Sequence, residues 1–153
     1  MADGFRMRLT GVSGAMDAVN KYEHGAEDGV RDAVQRSLVS MHGEARRGVS
    51  VDRAGLRDSI HWETEERGFA GAVIADAGHA LYVEFGTRAH TAPLSVIVEW
   101  AERQGLGAEA GRAIWAHIRK HGTAAHPFLQ PAADLERPRF AKRVADALRR
   151  VVR

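Results

Sequence analysis

MDAVNKYEHGAEDGVRDAVQRSLVSMHGEARRGV, residues 16–49, decides how this chain reads. Its apolar positions are Met16, Val19, Tyr22, Ala26, Val30, Val34, Leu38, Met41, Ala45 and Val49, three or four apart throughout. A helix brings such positions onto one face. Ser13 is placed to cap it, Asp17 complements the dipole in the first turn, and Arg46 and Arg47 complement the far end before Gly48. Gly25 and Gly29 are interior and each cost about 1 kcal/mol against Ala, so they mark a bend or a close packing site. At 1.5 Å per residue the helix would run ~50 Å. A domain of this size does not cover that length alone, so part of the stripe is expected to meet another subunit.

Upstream, Phe5 to Thr10 alternates as a strand with one wet face. Downstream, Ile60, Trp62 and Thr64 alternate with polar neighbours, Glu65 to Gly68 reads as a turn, and Phe69 to Ala75 as the return strand. The period of Ala77 to Phe85 fits a strand or a short helix. Helices are predicted from Thr91 and Pro93 to about Gln104 and from Ala108 to His121, with Gly105, Gly107 and Gly122 as stops. Pro127 to Leu135 suggests a short helix, and Pro138 the start of the last one. Trp100 and Trp115 are expected to anchor the core. The order argues for α+β: a long N-terminal helix packed on a small antiparallel sheet, followed by further C-terminal helices.

Composition removes several functions. The chain has 153 residues, one domain's worth, with 22 basic and 20 acidic side chains and a net charge of +2. That balance does not announce a nucleic-acid binder. Without cysteine there are no disulfides, no thiol nucleophile and no thiolate metal site. No apolar run approaches the ~18 residues of a membrane span, and the opening MADGFRMRLTG carries no signal-peptide core, so no membrane partner is expected.

Candidate chemistry is thin. His117 and His121 lie four apart on a predicted helix, but Ile118, Arg119 and Lys120 follow the first histidine where a zinc protease needs a Glu. Glu63, Glu65 and Glu66 read as a solvated turn. Glu84, between Val83 and Phe85, reads as a carboxylate paired with an Arg or capping backbone donors. No nucleophile triad, phosphate loop or dinucleotide fingerprint is present. No catalytic, cofactor-binding or metal residue is therefore expected. The C-terminus is basic: Arg137, Arg139, Lys142, Arg143, Arg149, Arg150 and Arg153 stand against Asp146. Such a helix is a solvated face or a surface for an acidic partner or passing DNA.

Three segments together resemble the neck, or tail-completion, proteins of long-tailed bacteriophages. They are Asp52–Ile60 (DRAGLRDSI), Ala80–Thr87 (ALYVEFGT) and Gly122–Ala132 (GTAAHPFLQPA). Ala54 stands where the family usually has Thr, and Ala80-Leu81 where it has an aromatic-Ala pair. Pro93 to Gly105 resembles the version with an added helical pair. The resemblance implies one neck domain over residues 1–153, with a helical insertion at about 91–122 and a basic C-terminal helix at about 138–153. It implies no catalysis and no cofactor. It implies a minor structural protein at the head–tail interface of the virion, made in the host cytoplasm. The partners implied are further copies in a ring (six favoured, twelve the alternative), adjacent head-closure or stopper and tail-terminator or tail-tube proteins, and non-specific contact with channel DNA. The motif residues are Gly55, Leu56, Ser59, Ile60, Tyr82, Glu84, Gly86, Thr87, Pro127, Phe128, Leu129 and Pro131. Among them Gly55 and Gly86 are expected as turn glycines, Gly86 with positive φ, and Glu84 and Thr87 as bonded across the turn. Pro127, Phe128, Leu129 and Pro131 are expected to form an apolar plug. Arg143, Arg149, Arg150 and Arg153 are expected at an interface or facing DNA. The rival readings are a DNA-binding module using the basic helix, a tail terminator or stopper of the same neck, and a small hydrolase using Glu84 with a histidine.

Overall fold

The computed structural model describes residues 5–9, 24–49 and 54–151. Ser13 and the first two turns of the long-helix stripe lie outside them. The chain resolves into two compact units: Met1–Ala80 together with Pro127–Arg153, and Leu81–His126.

In the first unit a three-stranded sheet is formed by β1 (Phe5–Leu9), β2 (Ile60–Thr64) and β3 (Gly71–Ala75), in the order β1-β3-β2 and antiparallel throughout. Trp62 and Met7 both pair with Val73. The central strand is buried along its whole length, and its residues are small or β-branched, as a strand enclosed by neighbours requires. The expected hairpin and the α+β class are therefore present.

Helix α1 (His24–Gly48) supplies the rest of the core. Ala26, Val30, Ala33, Val34, Leu38, Met41 and Ala45 are buried, which is the apolar stripe read from the sequence. The helix contacts β2 and β3 and also α6 (Leu129–Val151); α1 against α6 is the most extensive contact between elements. Arg31 locks the hairpin turn onto α1. Its guanidinium lies 4.7 Å from the centroid of Phe69, and its Nε donates to the Arg67 carbonyl at 3.0 Å.

The last helix corrects one expectation. Pro138 does not start a helix; it lies inside α6, which runs unbroken from Leu129. An interior proline removes one backbone hydrogen bond and costs about 3 kcal/mol. Burial of Leu129, Ala132, Ala133 and Glu136 beside α1 offsets that local cost. Pro131, in the first turn, forfeits no intrahelical bond.

The second unit carries most of α3 (Ala80–Phe85) and a helical pair, α4 (Leu94–Arg103) and α5 (Gly107–His121). The ambiguous segment before Gly86 is thus a helix. Gly111 brings the pair close, since a methyl there would lie 2.8 Å from the Val98 Cα and 3.2 Å from the Ala101 Cβ. The seam is accordingly built from small residues, and Trp100 stays 37% exposed rather than anchoring the core. Trp115 is half-buried, with its Nε1 donating to the Ala92 carbonyl at 2.7 Å.

Two glycines test this packing. A methyl on Gly71 would lie 2.5 Å from the Glu63 carbonyl oxygen and against Leu38. Gly71→Ala should therefore destabilise by about 1–3 kcal/mol, read as a lowered urea midpoint. Gly55 sits in α2 (Ala54–Asp58) with open space around it, so Gly55→Ala should leave the urea midpoint unchanged or raise it, by a gain in stability of up to about 1 kcal/mol.

Candidate functional site

The first motif is a joint between a helix and a strand. Leu56 and Ile60 are buried. Between them the Ser59 hydroxyl donates to the Leu56 carbonyl (2.8 Å) and accepts from the Ala77 N–H (3.1 Å). The Ser59 carbonyl accepts from the Asp76 N–H at 3.3 Å. One short polar side chain thereby ends α2 and ties the start of β2 to the residues after β3. Gly55 is not the turn glycine expected: it is a helical residue of α2 without positive φ. The turn that follows is closed by Ser59, whose N–H reaches the Gly55 and Leu56 carbonyls.

The second and third motifs meet. Each contains the dipeptide Gly-Thr, and the two threonines pair as an antiparallel bridge, Thr87 with Thr123. The Thr87 N–H donates to the Thr123 carbonyl at 3.0 Å, and the Thr123 N–H to the Thr87 carbonyl at 3.3 Å. Their hydroxyls lie 3.0 Å apart. Both glycines have positive φ, +70° at Gly86 as expected and +80° at Gly122. Each is pressed against the other strand. A methyl on Gly86 would meet the Thr123 carbonyl and lie 2.8 Å from the Ala125 nitrogen. One on Gly122 would meet the Thr87 carbonyl and lie 2.6 Å from the Arg88 carbonyl carbon. The His126 N–H then donates to the Val83 carbonyl at 2.8 Å. This crossed pair fastens together the two ends of the 81–126 unit. From the sequence, Gly122 reads as a helix stop and Gly122-Thr123 as the opening of the third motif; their pairing with Gly86 and Thr87 does not follow from it, although the repeated Gly-Thr is a visible signal.

Beyond the clamp, Phe128, Leu129 and Ala132 are buried, and Phe128 sits against Gly48 at the end of α1. Pro127 and Pro131 are exposed, so the plug is made by Phe128 and Leu129.

Helix α3 has inverted polarity. Glu84 is buried, 2% exposed, and engaged with neighbouring groups. Leu81, Tyr82 and Phe85 face outward, the two aromatics 61% and 62% exposed. Positions 81 and 85, and 82 and 85, share one side of a helix, so the three form one apolar face.

The cations of α6 are largely matched within the chain. Arg137 pairs with Asp134, Arg139 lies near Glu44 and Glu136, Lys142 and Arg149 flank Asp146, and Arg143 contacts Glu136. Among the described residues Arg150 is the cation of this helix without such a partner; Arg153 lies outside them. The Lys142 hydrogen bond, helped by Arg149, holds the Asp146 carboxyl below its ordinary range. The small stability this exposed group contributes is present above its unfolded-chain pKa and is lost as pH falls through the lowered value. The His117 and His121 rings are 4.8 Å apart and exposed, and no cluster of three or more metal-ligating side chains occurs among the described residues.

Residues 14–86 match the HK97 gp10-like family, described as "Bacteriophage HK97-gp10, putative tail-component". The match ends on the positive-φ Gly86 and covers just under half of the chain. It contains the first two motifs up to that glycine, and the third lies beyond it. The resemblance read from the motifs is thus borne out over this stretch, which is similar to a family of phage tail components. Such a family is structural and works among other virion proteins. No curated protein and no solved structure matches the chain.

The crossed pair has a measurable signature. Gly105 has positive φ (+73°) in open space, so Gly105→Ala isolates the backbone cost, about 1–2 kcal/mol. Gly86→Ala and Gly122→Ala should each lower thermal stability by clearly more, because the methyl also meets backbone. Equal losses at Gly86 and Gly105 would show that the two strands do not interlock.

Proposed function

We propose that this protein is a neck subunit of a long-tailed bacteriophage, part of the ring that joins capsid to tail around the DNA channel. The observation that carries the reading beyond the family match is the outward apolar face of α3. An aromatic side chain offers about 150–250 Å². At ~25 cal/mol per Å², covering the exposed part of Tyr82 or Phe85 is worth about 2–4 kcal/mol each, before the cost of association. Clustered exposed aromatics of this kind are what subunit contacts use. A ring needs heterologous contacts, one face of a copy meeting a different face of the next. Six copies follow from a tail's sixfold symmetry, with twelve as the alternative. Head-closure and tail-terminator or tail-tube proteins would lie above and below.

In this reading the whole chain is one subunit, the helical pair its insertion and Gly86 and Gly122 its joints. The protein is not an enzyme. The rival DNA-binding reading gains nothing from α6, where carboxylates of the same chain match most of the cations. Contact with DNA in the channel would be confined to phosphates and would weaken steeply with salt.

Tyr82→Ser combined with Phe85→Ser tests the assignment. The circular dichroism spectrum and melting temperature should stay close to wild type, since both side chains are solvent-facing. In a phage lacking its own copy, the variant should fail to enter particles, and unjoined heads and tails should accumulate. Normal particles carrying the variant, or cryo-EM density for this chain away from the neck, would overturn the proposal.

A further inference from the structure

Helix α6 is one helix by its hydrogen bonding but two by its packing. Its fully buried residues, Leu129, Ala132, Ala133 and Glu136, all precede Pro138. After Pro138 the inward residues Val144, Ala147, Leu148 and Val151 are only half-buried. The seam between this second half and the start of α1 leaves a half-open groove of about 320 Å³, lined by Gly25, Gly29, Ala33, Arg143, Ala147 and Arg150 among others. The close approach within the seam is at Gly29, where a methyl would lie 3.0 Å from the Ala147 Cβ. The break between the tight and the loose half falls on the residue that cannot donate to the carbonyl of Asp134.

One interaction spans that break. Glu136, wholly buried, lies before the proline, and its counter-charge, Arg143, lies two turns later, beyond it. The Arg143 Nη1 also donates to the Ser37 hydroxyl of α1 at 2.8 Å, and Ser37 is buried as well. Arg139, whose Nη1 is 4.0 Å from Glu136 and 3.9 Å from Glu44, is itself half-exposed and shared between the two carboxylates. If the second half of α6 leaves α1, Glu136 loses its close partner while remaining in a buried position, and an uncompensated buried charge is strongly unfavourable. The pair therefore acts as a catch on a segment that apolar packing holds only weakly.

We infer that residues 138–151 form an arm, hinged at Pro138 and latched by the Glu136–Arg143–Ser37 contact, which opens from α1 while residues 129–137 stay packed. This does not depend on the neck assignment. It states where in the fold a docking event would find a segment free to move.

Amide hydrogen exchange on the full chain, resolved by mass spectrometry, tests it. Wild-type protein should show a step at the proline, with residues 139–151 exchanging about tenfold faster or more than residues 129–137. Ordinary fraying would instead give a gradual rise towards Val151. Glu136→Gln, which keeps the shape and removes the charge, should speed exchange in the arm by about a further tenfold and leave residues 38–48 of α1 unchanged. Pro138→Ala, which restores the missing donor, should reduce the step. Should Glu136→Gln fold poorly, Ser37→Ala removes one strand of the latch and should give a smaller acceleration of the same pattern. Uniform protection across Pro138, an arm indifferent to both variants, or acceleration that spreads along the whole of α1 would each overturn the hinge.

Discussion

A single apolar stripe on α1 serves three neighbours. Leu38, at its centre, lies against Gly71 at the start of β3, while other turns of the helix meet β2 and α6. β3 can be composed of small and β-branched residues because α1 fills the space beside them. α6 can carry an interior proline because the helix it packs on provides enough buried surface to outweigh a missing hydrogen bond. The unbroken stripe thus sets what the sheet and the last helix are free to do.

The second unit depends on a different kind of constraint. Its core is slight, with Ala101 and Ile118 as its buried apolar side chains, alongside the buried Glu84 and the close-packed Gly111. What defines it is the backbone pairing at its base, where two residues of the same type donate to and accept from each other. Glycine is required beside each threonine for steric as well as conformational reasons, because the opposing carbonyl occupies the volume a side chain would need. An exposed seam of modest area can persist on a base of that rigidity. The aromatic face of α3 is presented from the residues just before it.

Much of this was legible in the sequence, and the pattern of what was not is physical. The α1 stripe, the β2–β3 hairpin and the positive φ of Gly86 are local: periodicity, alternation and a glycine before a polar step. Pro138 was misread because its local preference for a helix start was overridden by long-range packing. Gly55 was misread because its segment forms a short helix closed by Ser59, so the turn needs no glycine. Trp100 was misread because size suggests burial, whereas the α4–α5 seam is closed by the small residues Ala101 and Gly111. The pairing of Thr87 with Thr123 and of Arg143 with Ser37 joins residues far apart in the chain, and no periodicity encodes such contacts. The polarity of α3 is inverted, which is why the period of Ala77 to Phe85 did not decide between a strand and a short helix.

The crossed Gly-Thr pair also bears on how such a chain diversifies. The polypeptide leaves and returns through one point, since Val83 and His126 are joined by a hydrogen bond. Everything between the two threonines is, topologically, a cassette: it can be lengthened, shortened or exchanged with the strands at its mouth kept in register. Differences in insertion length among relatives should therefore concentrate between Arg88 and His121. A fluorescent or affinity module spliced into the Gln104–Leu106 connection would enlarge the cassette at its tip, away from the paired threonines.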